Sequence, residues 1–282
     1  MPAPLFDGRA SWLIPWSGMS LQPDTGVVLP CAGAGLRVGA ARPKQFLDLG
    51  GRPVFHRSLT AFLAHPRVCS VVLVVALDEL HQVQTDLGRF YGSMLSSGRL
   101  SLKEGGAERW ESVRNGVLAL PDSVRLVAIH DVARPFLLTQ DIDSVLAAAE
   151  VDGAATLAVP CPDTVKRSLS ERGGDAAADP VGGAHGHGER PGPLVEKTLD
   201  RTRIWLTQTP QAFRREVLED CYASLEKGRD LSPTDEAGLA EVFGNPVRLV
   251  RGGDRLRKIT TAEDLEWARW MAGKGLGGSG SA

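Results

Sequence analysis

The residues best suited to chemistry lie together in PCAGAGLRVGAARPKQF, residues 30 to 46. Gly33, Gly35 and Gly39 allow the backbone to curl closely around an anionic group, so that successive N–H groups point at its oxygens and a following helix adds positive field. A tight strand-to-helix turn and a dinucleotide-binding GxGxxxG share this pattern. A dinucleotide fold needs an acidic residue about 20 positions on, at the end of its second strand, whereas the second strand read here ends at Asp78. The loop instead carries Arg37 and, after Pro43, Lys44. Two cations on one glycine-rich loop suit a triphosphate, whose charge exceeds what peptide dipoles alone neutralise. No GK[ST] follows the glycines, which excludes a Walker loop.

The elements that must position this loop can be read from the apolar pattern. Val27, Val28 and Leu29 form a short run feeding the glycines, as a buried strand does. PVFHRSLTAFLAHP has helical spacing and CSVVLVVALD the β-branched run of a second strand. A strand in RLSLKEGG, a helix in ESVRNGVLALP, a strand in VRLVAIHD, a helix in DIDSVLAAAE and a strand in GAATLAVP continue the alternation. Such alternation predicts an α/β fold with a largely parallel sheet, helices on both faces and ligands at the carboxyl ends of the strands. Helices are expected in REVLEDCYASLEKG and in SPTDEAGLAEVFG, with Ser232 or Thr234 near the start of the latter. NPVRLVRGG reads as a strand and TAEDLEWARWMA as a closing helix with Thr261 as N-cap.

Composition excludes several classes. The 282 residues are 43% hydrophobic and 23% charged, with net charge -2, so no global field draws the chain to nucleic acid or an acidic membrane. No apolar run approaches the roughly 20 residues of a spanning helix, and the start lacks the pattern of an export signal. Cys31, Cys69, Cys161 and Cys221 show no disulfide or zinc spacing, which fits a reducing cytoplasm. Residues 1–24, with Trp12, Ile14 and Trp16, read as an N-terminal extension, and 273–282 as a disordered tail. The stretch from about 169 to 193 has little to bury and reads as a mobile loop. His185 and His187 within it have metal-ligating side chains, but an accidental pair in a loop is the simpler reading.

Seven motifs in a fixed order give the chain a family resemblance over about residues 26 to 272: PCAGAGLRVG with PKQF, GGAERWESVRNG, IHDVARP, DTVKR, DRTRIWLTQTPQAF, TDEAG and LRKIT. The chain resembles the 2-C-methyl-D-erythritol 4-phosphate cytidylyltransferases of non-mevalonate isoprenoid biosynthesis. The resemblance implies a single Rossmann-like nucleotidyltransferase domain, residues 25–272, with a protruding dimerisation arm at about 160–206, and a cytoplasmic homodimer with composite sites. It also implies CTP and a polyol phosphate as substrates and Mg²⁺ held mainly by substrate phosphates.

By resemblance, Arg37, Lys44, Lys258 and Arg201 are catalytic. Pro30, Cys31, Ala32, Gly33, Ala34, Gly35, Gly106, Ala107, Ser112, Asp131 and Val132 surround the nucleotide. Asp131, Arg134, Thr164, Arg201, Thr209, Thr234 and Lys258 face the acceptor, with Thr164 and Arg201 on the arm that reaches the neighbouring subunit. The chain departs from the family pattern at Cys31, where alanine is usual, at Ala107, where a polar residue is common, and at Arg257, where asparagine is frequent. A cytidylyltransferase acting on ribitol 5-phosphate shares the nucleotide half, and GAGLRVG keeps an NADP-dependent oxidoreductase as a distant alternative.

Overall fold

In the computed structural model the described residues are 23–33, 42–169, 193–226 and 233–275. The expectations for Trp12, Ile14, Trp16, Ala34, Gly35, Arg37, Gly39, His185, His187, Ser232 and the tail beyond Gly275 lie outside them.

Strand β1 (Thr25–Pro30) lies between β2 (Val68–Val75) and β4 (Leu126–Ile129) and is parallel to both. A strand paired on both edges and covered on both faces reads as a continuous apolar run, which is why TGVVLP shows no polar alternation. Its side chains still alternate in space. Val27 and Leu29 join one core with Leu59 and Phe62 of α1 (Phe55–Leu63), Leu87 of α2 (Leu80–Ser96) and Ile142 of α4 (Thr139–Asp152). Val28 faces the other way, onto Val113 and Val117 of α3 (Arg109–Leu118), Leu218 of α5 (Arg215–Glu226) and Leu239 of α6 (Glu236–Val242). Fully burying such a side chain contributes about 1.5–3 kcal/mol, so the two faces together hold the sheet between helical layers.

The seven-stranded sheet has the order β3-β2-β1-β4-β8-β5-β9. It includes β3 (Leu100–Glu104), β5 (Ala154–Pro160), β8 (Trp205–Arg214) and β9 (Arg248–Arg251). The chain lays β2 and β3 on one side of β1 and then returns to place β4 on the other. Order therefore reverses beside β1, and in open α/β sheets such a reversal places the ligand crevice at the carboxyl ends of the strands. Strand β8 is antiparallel to both neighbours, β4 and β5.

Helix α2 and strand β8 have no counterpart in the sequence reading. Helix α2 packs Leu80, Val83, Leu87, Tyr91 and Met94 on the core along one face, with Val83 and Leu87 fully buried, a periodic stripe that the sequence reading passed over. Strand β8 is exposed at Leu206 and Thr207 and carries buried Gln208, Thr209 and Gln211, so it has neither an apolar run nor a clean alternation. Helix α6 starts from Asp235, one residue after the expected Thr234; the Asp235 carboxylate accepts from the Gly238 N–H at 2.8 Å. Helix α7 (Ala262–Gly273) has the expected cap, with the Thr261 hydroxyl accepting from the Asp264 N–H. It closes a third, smaller core with Leu49, Val54, Phe136 and Ile259. Outside the sheet, β6 (Lys166–Ser168) and β7 (Val195–Thr198) pair as a two-stranded antiparallel ribbon.

Candidate active site

The site forms where the β1, β3 and β4 carboxyl ends meet the segment after β9. At the end of β1, beyond Pro30, the Cys31 N–H donates to the Val74 carbonyl and aligns the start of the loop with β2. The Cys31 side chain is buried and its thiol is pushed well up from its usual value, by burial and then by Glu79, so it is no thiolate nucleophile at neutral pH. Gln45, itself buried, donates through Nε2 to the carbonyls of Cys31 and Gly33, both at 2.8 Å. This staple holds the described part of the loop to the KQF turn.

Across the crevice, a Cβ on Gly105 would lie 2.6 Å from the Ala32 Cβ, so only glycine lets the end of β3 approach the loop this closely. A Cβ on Gly106 would meet Glu111 at 2.4 Å. The Gly106 N–H donates to the buried Ser112 hydroxyl at 3.0 Å, and Ala107 is exposed at the lip.

The cations converge from three directions. Lys44 Nζ donates to the Ile259 carbonyl at 2.8 Å, and the Ile259 N–H donates to Ala133 at 2.8 Å. Ile259 is thus held on both sides, and Lys258 beside it is fixed against the turn after β4. Lys258 Nζ lies 2.8 Å from Asp131 Oδ2. Arg134 Nε stands 3.8 Å and Arg109 Nη2 3.9 Å from the same carboxylate. Burial works to raise the Asp131 pKa, but Lys258, Arg109 and Arg134 outweigh it and hold the carboxyl well below its usual range.

Behind Asp131 a hydrogen-bond chain sets the turn. His130 is fully buried, and burial pushes its pKa down to about 4, so the ring is neutral at physiological pH. Its Nε2 contacts the Arg134 carbonyl at 3.2 Å, which can only accept; Nε2 therefore carries the proton and Nδ1 is an acceptor. The Thr209 hydroxyl donates to Nδ1 at 3.1 Å and accepts the Asp131 N–H at 3.0 Å. Thr209 is 5% exposed, and with its proton committed it can only receive a hydrogen bond from an acceptor molecule. Arg134 Nη1 donates to Leu256 at 2.7 Å and Nη2 to Thr207 at 3.4 Å, so it ties the β4 turn to β8 and to the Lys258 segment.

The structure therefore brings together Lys44, Lys258, Asp131, Arg134 and Thr209, with the buried Val132 beneath them, and Ala32 against the Gly105–Gly106 turn. Thr164 and Arg201 are exposed on the segments flanking the β6–β7 ribbon, where Arg201 Nη1 donates to the Pro162 carbonyl at 2.7 Å. Thr234 is exposed just ahead of α6. Sequence reasoning assigned no role to Gln45, His130, Arg109 or Glu236. Arg109 had a signal: it is the first residue of α3, where a cation opposes the helix dipole, so something else must require it. Glu236 in the first turn of α6 suits the dipole and gave none.

Similarity to known proteins identifies the family. A family model described as 2-C-methyl-D-erythritol 4-phosphate cytidylyltransferase matches residues 25–273. A protein of that name from Pelotomaculum thermopropionicum is 39% identical over 238 residues, 84% of this chain and 90% of the relative. Another from Geobacillus kaustophilus is 36% identical over 241 residues, 86% of this chain and 93% of the relative. The crystal structure of the Thermus thermophilus protein of that name superposes with a TM-score of 0.64 at 29% identity, covering 88% of this chain and 98% of that one. With the family model spanning nearly all of the sheet, its helices and the site, the chain belongs to the 2-C-methyl-D-erythritol 4-phosphate cytidylyltransferase family and is a nucleotidyltransferase.

Proposed function

We propose that the protein transfers the cytidylyl group of CTP to 2-C-methyl-D-erythritol 4-phosphate, giving 4-diphosphocytidyl-2-C-methyl-D-erythritol and pyrophosphate in isoprenoid biosynthesis. A phosphate monoester carries about -1.5 to -2 charge at neutral pH, so one of its oxygens can attack the α-phosphorus without a general base. A new oxygen–phosphorus bond forms as the bond to the bridging oxygen of pyrophosphate breaks, and no proton needs to move. The barrier is repulsion between two polyanions, and the site is built to relieve it by charge and position.

The observation that carries this reading is the strip in which Lys44 is bonded to Ile259 and Lys258 to Asp131, bringing two ammonium groups from distant parts of the chain to one crevice edge. Arg37, in the glycine loop, joins them in this reading. Among the described residues there is no group of three His, Cys, Asp or Glu placed to hold a metal. Mg²⁺ keeps several waters and needs no all-protein cage, so it would be held mainly by the substrate phosphates. When bound, that ion would neutralise phosphate charge.

A pyrophosphate-release assay crossing the four nucleoside triphosphates with methylerythritol phosphate and ribitol 5-phosphate tests the reading. Release is expected with CTP and methylerythritol phosphate. Faster turnover with ribitol 5-phosphate, or none with CTP, would overturn it.

The arm supports a second part of the reading, that two copies pair and that Thr164 and Arg201 serve the partner's acceptor site. Leu194 is 74% and Val195 57% exposed, beside the exposed Leu169. Apolar side chains clustered on a protruding ribbon fit a partner surface better than water. Light scattering after gel filtration should give twice the 30.1 kDa chain mass. Replacing Leu194 and Val195 with serine should shift the mass toward one chain; a monomeric parent protein would refute the pairing. No described helix is long and apolar enough to cross a membrane, and the proposed substrates are water-soluble, so we place the enzyme in the cytoplasm.

A further inference from the structure

The TDEAG motif also reaches the charged cluster through Glu236. Glu236, the first residue of α6, is 1% exposed, and both of its carboxylate oxygens accept from Arg109 Nη1, at 2.9 and 2.8 Å. The other terminal nitrogen of Arg109, Nη2, faces Asp131 Oδ1 at 3.9 Å, outside hydrogen-bond range. Asp131 in turn uses Oδ2 to hold Lys258 at 2.8 Å. Charges therefore alternate along one line, Glu236, Arg109, Asp131, Lys258, drawn from α6, α3, the β4 turn and the segment after β9.

The end of that line is fixed. Gln211 of β8, fully buried, donates to Asp235 Oδ2 at 2.8 Å and accepts the Ala237 N–H at 3.1 Å, which clamps the first turn of α6 to the sheet. Arg109, by contrast, hangs between two carboxylates and sits close to one only. Without Glu236, its guanidinium has a short path to Asp131, a bidentate acceptor that suits arginine better than lysine. Lys258 would then lose the partner that orients it.

We propose that Glu236 is a positioning residue that holds Arg109 away from Asp131 and so leaves Asp131 free to orient Lys258. This rests on the cytidylyltransferase reading for its kinetic consequence, but not for its geometry.

The test uses Glu236→Gln, Arg109→Met and the double variant in the full chain, with two readouts. The first is trace acetylation of Lys258 by acetic anhydride, read by peptide mass spectrometry in the absence of substrate. Lys258 labelling should rise at least threefold in Glu236→Gln and return to the wild-type level when Arg109→Met is added. The second is steady-state kinetics with CTP and methylerythritol phosphate. Here kcat should fall about tenfold in Glu236→Gln with KM for CTP changed less than threefold, while adding Glu236→Gln to Arg109→Met should have no further effect. Unchanged Lys258 labelling in Glu236→Gln, or the same loss of kcat in both backgrounds, overturns the proposal. Labelling that follows the expected pattern in a wild type unable to use CTP would uphold it and reject the substrate reading instead.

Discussion

Replacing Lys44 with alanine should lower kcat by about 10²- to 10³-fold, the range for losing one donor aimed at developing negative charge, while the protein stays folded. The two effects separate because the contacts differ in kind. In the resting protein Lys44 donates to the Ile259 carbonyl, and the net worth of one such hydrogen bond is about 0.5–1.5 kcal/mol. In the reaction the same ammonium would face a triphosphate whose charge is redistributed as pyrophosphate leaves. Lys44→Arg should recover little, because a broad planar fork cannot occupy the place of a compact point charge. Steady-state kinetics beside a thermal melt provides the check. A Lys44→Ala enzyme with kcat within tenfold of wild type would remove Lys44 from the chemistry.

Asp131→Asn should disable the enzyme and also destabilise it, by about 3–5 kcal/mol, the usual penalty for removing one partner of a buried ionic cluster. Asparagine has nearly the same shape, so the loss would come from charge. Lys258, Arg134 and Arg109 stand within 4 Å of the carboxylate and would be left facing one another. Because Lys258 would also lose its orienting partner, kcat should fall at least about 10²-fold, as it does when a reacting group is misplaced by about 1 Å.

The pH dependence has a definite sign. The folded carboxyl titrates below the unfolded value of about 3.9, since the three cations outweigh the opposing effect of burial. Its stabilising contribution is therefore complete above that unfolded value and is lost as pH falls through the folded one. The stability gap between wild type and Asp131→Asn should be full at pH 7 and pH 5 and should narrow at pH 3. Urea denaturation at those three values measures it, and a gap unchanged from pH 7 to pH 3 would refute the charge argument.

Much of the architecture was legible wherever burial acts on both faces of an element. The runs at Val27–Leu29 and in CSVVLVVALD read as interior strands, and the glycines with Lys44 place the candidate anion loop directly after β1. Helix α2 was legible too, since Leu80, Val83, Leu87, Tyr91 and Met94 recur at helical spacing on the face packed against the core, but the sequence reading passed over it. Strand β8 escaped for a more instructive reason. Its Gln208, Thr209 and Gln211 bond, in turn, to Gly253, to His130 with Asp131, and to Asp235 with Ala237. The polar residues that disguise the strand are the ones that hold the site together.

The sequence by itself determined the family, through the order of its motifs, most of the sheet, through its apolar runs, and which charged residues are present. The tertiary structure alone decided which of those charges face one another. Lys44 meets Ile259 across 215 positions of sequence, Arg109 meets Glu236 across 127, and Thr209 meets His130 across 79. A local pattern records which face of an element is buried, because that is decided within a few residues. It carries no record of which distant carboxylate or carbonyl a buried cation will find, since that pairing is set by how β8, α6 and the segment after β9 pack against the turn following β4.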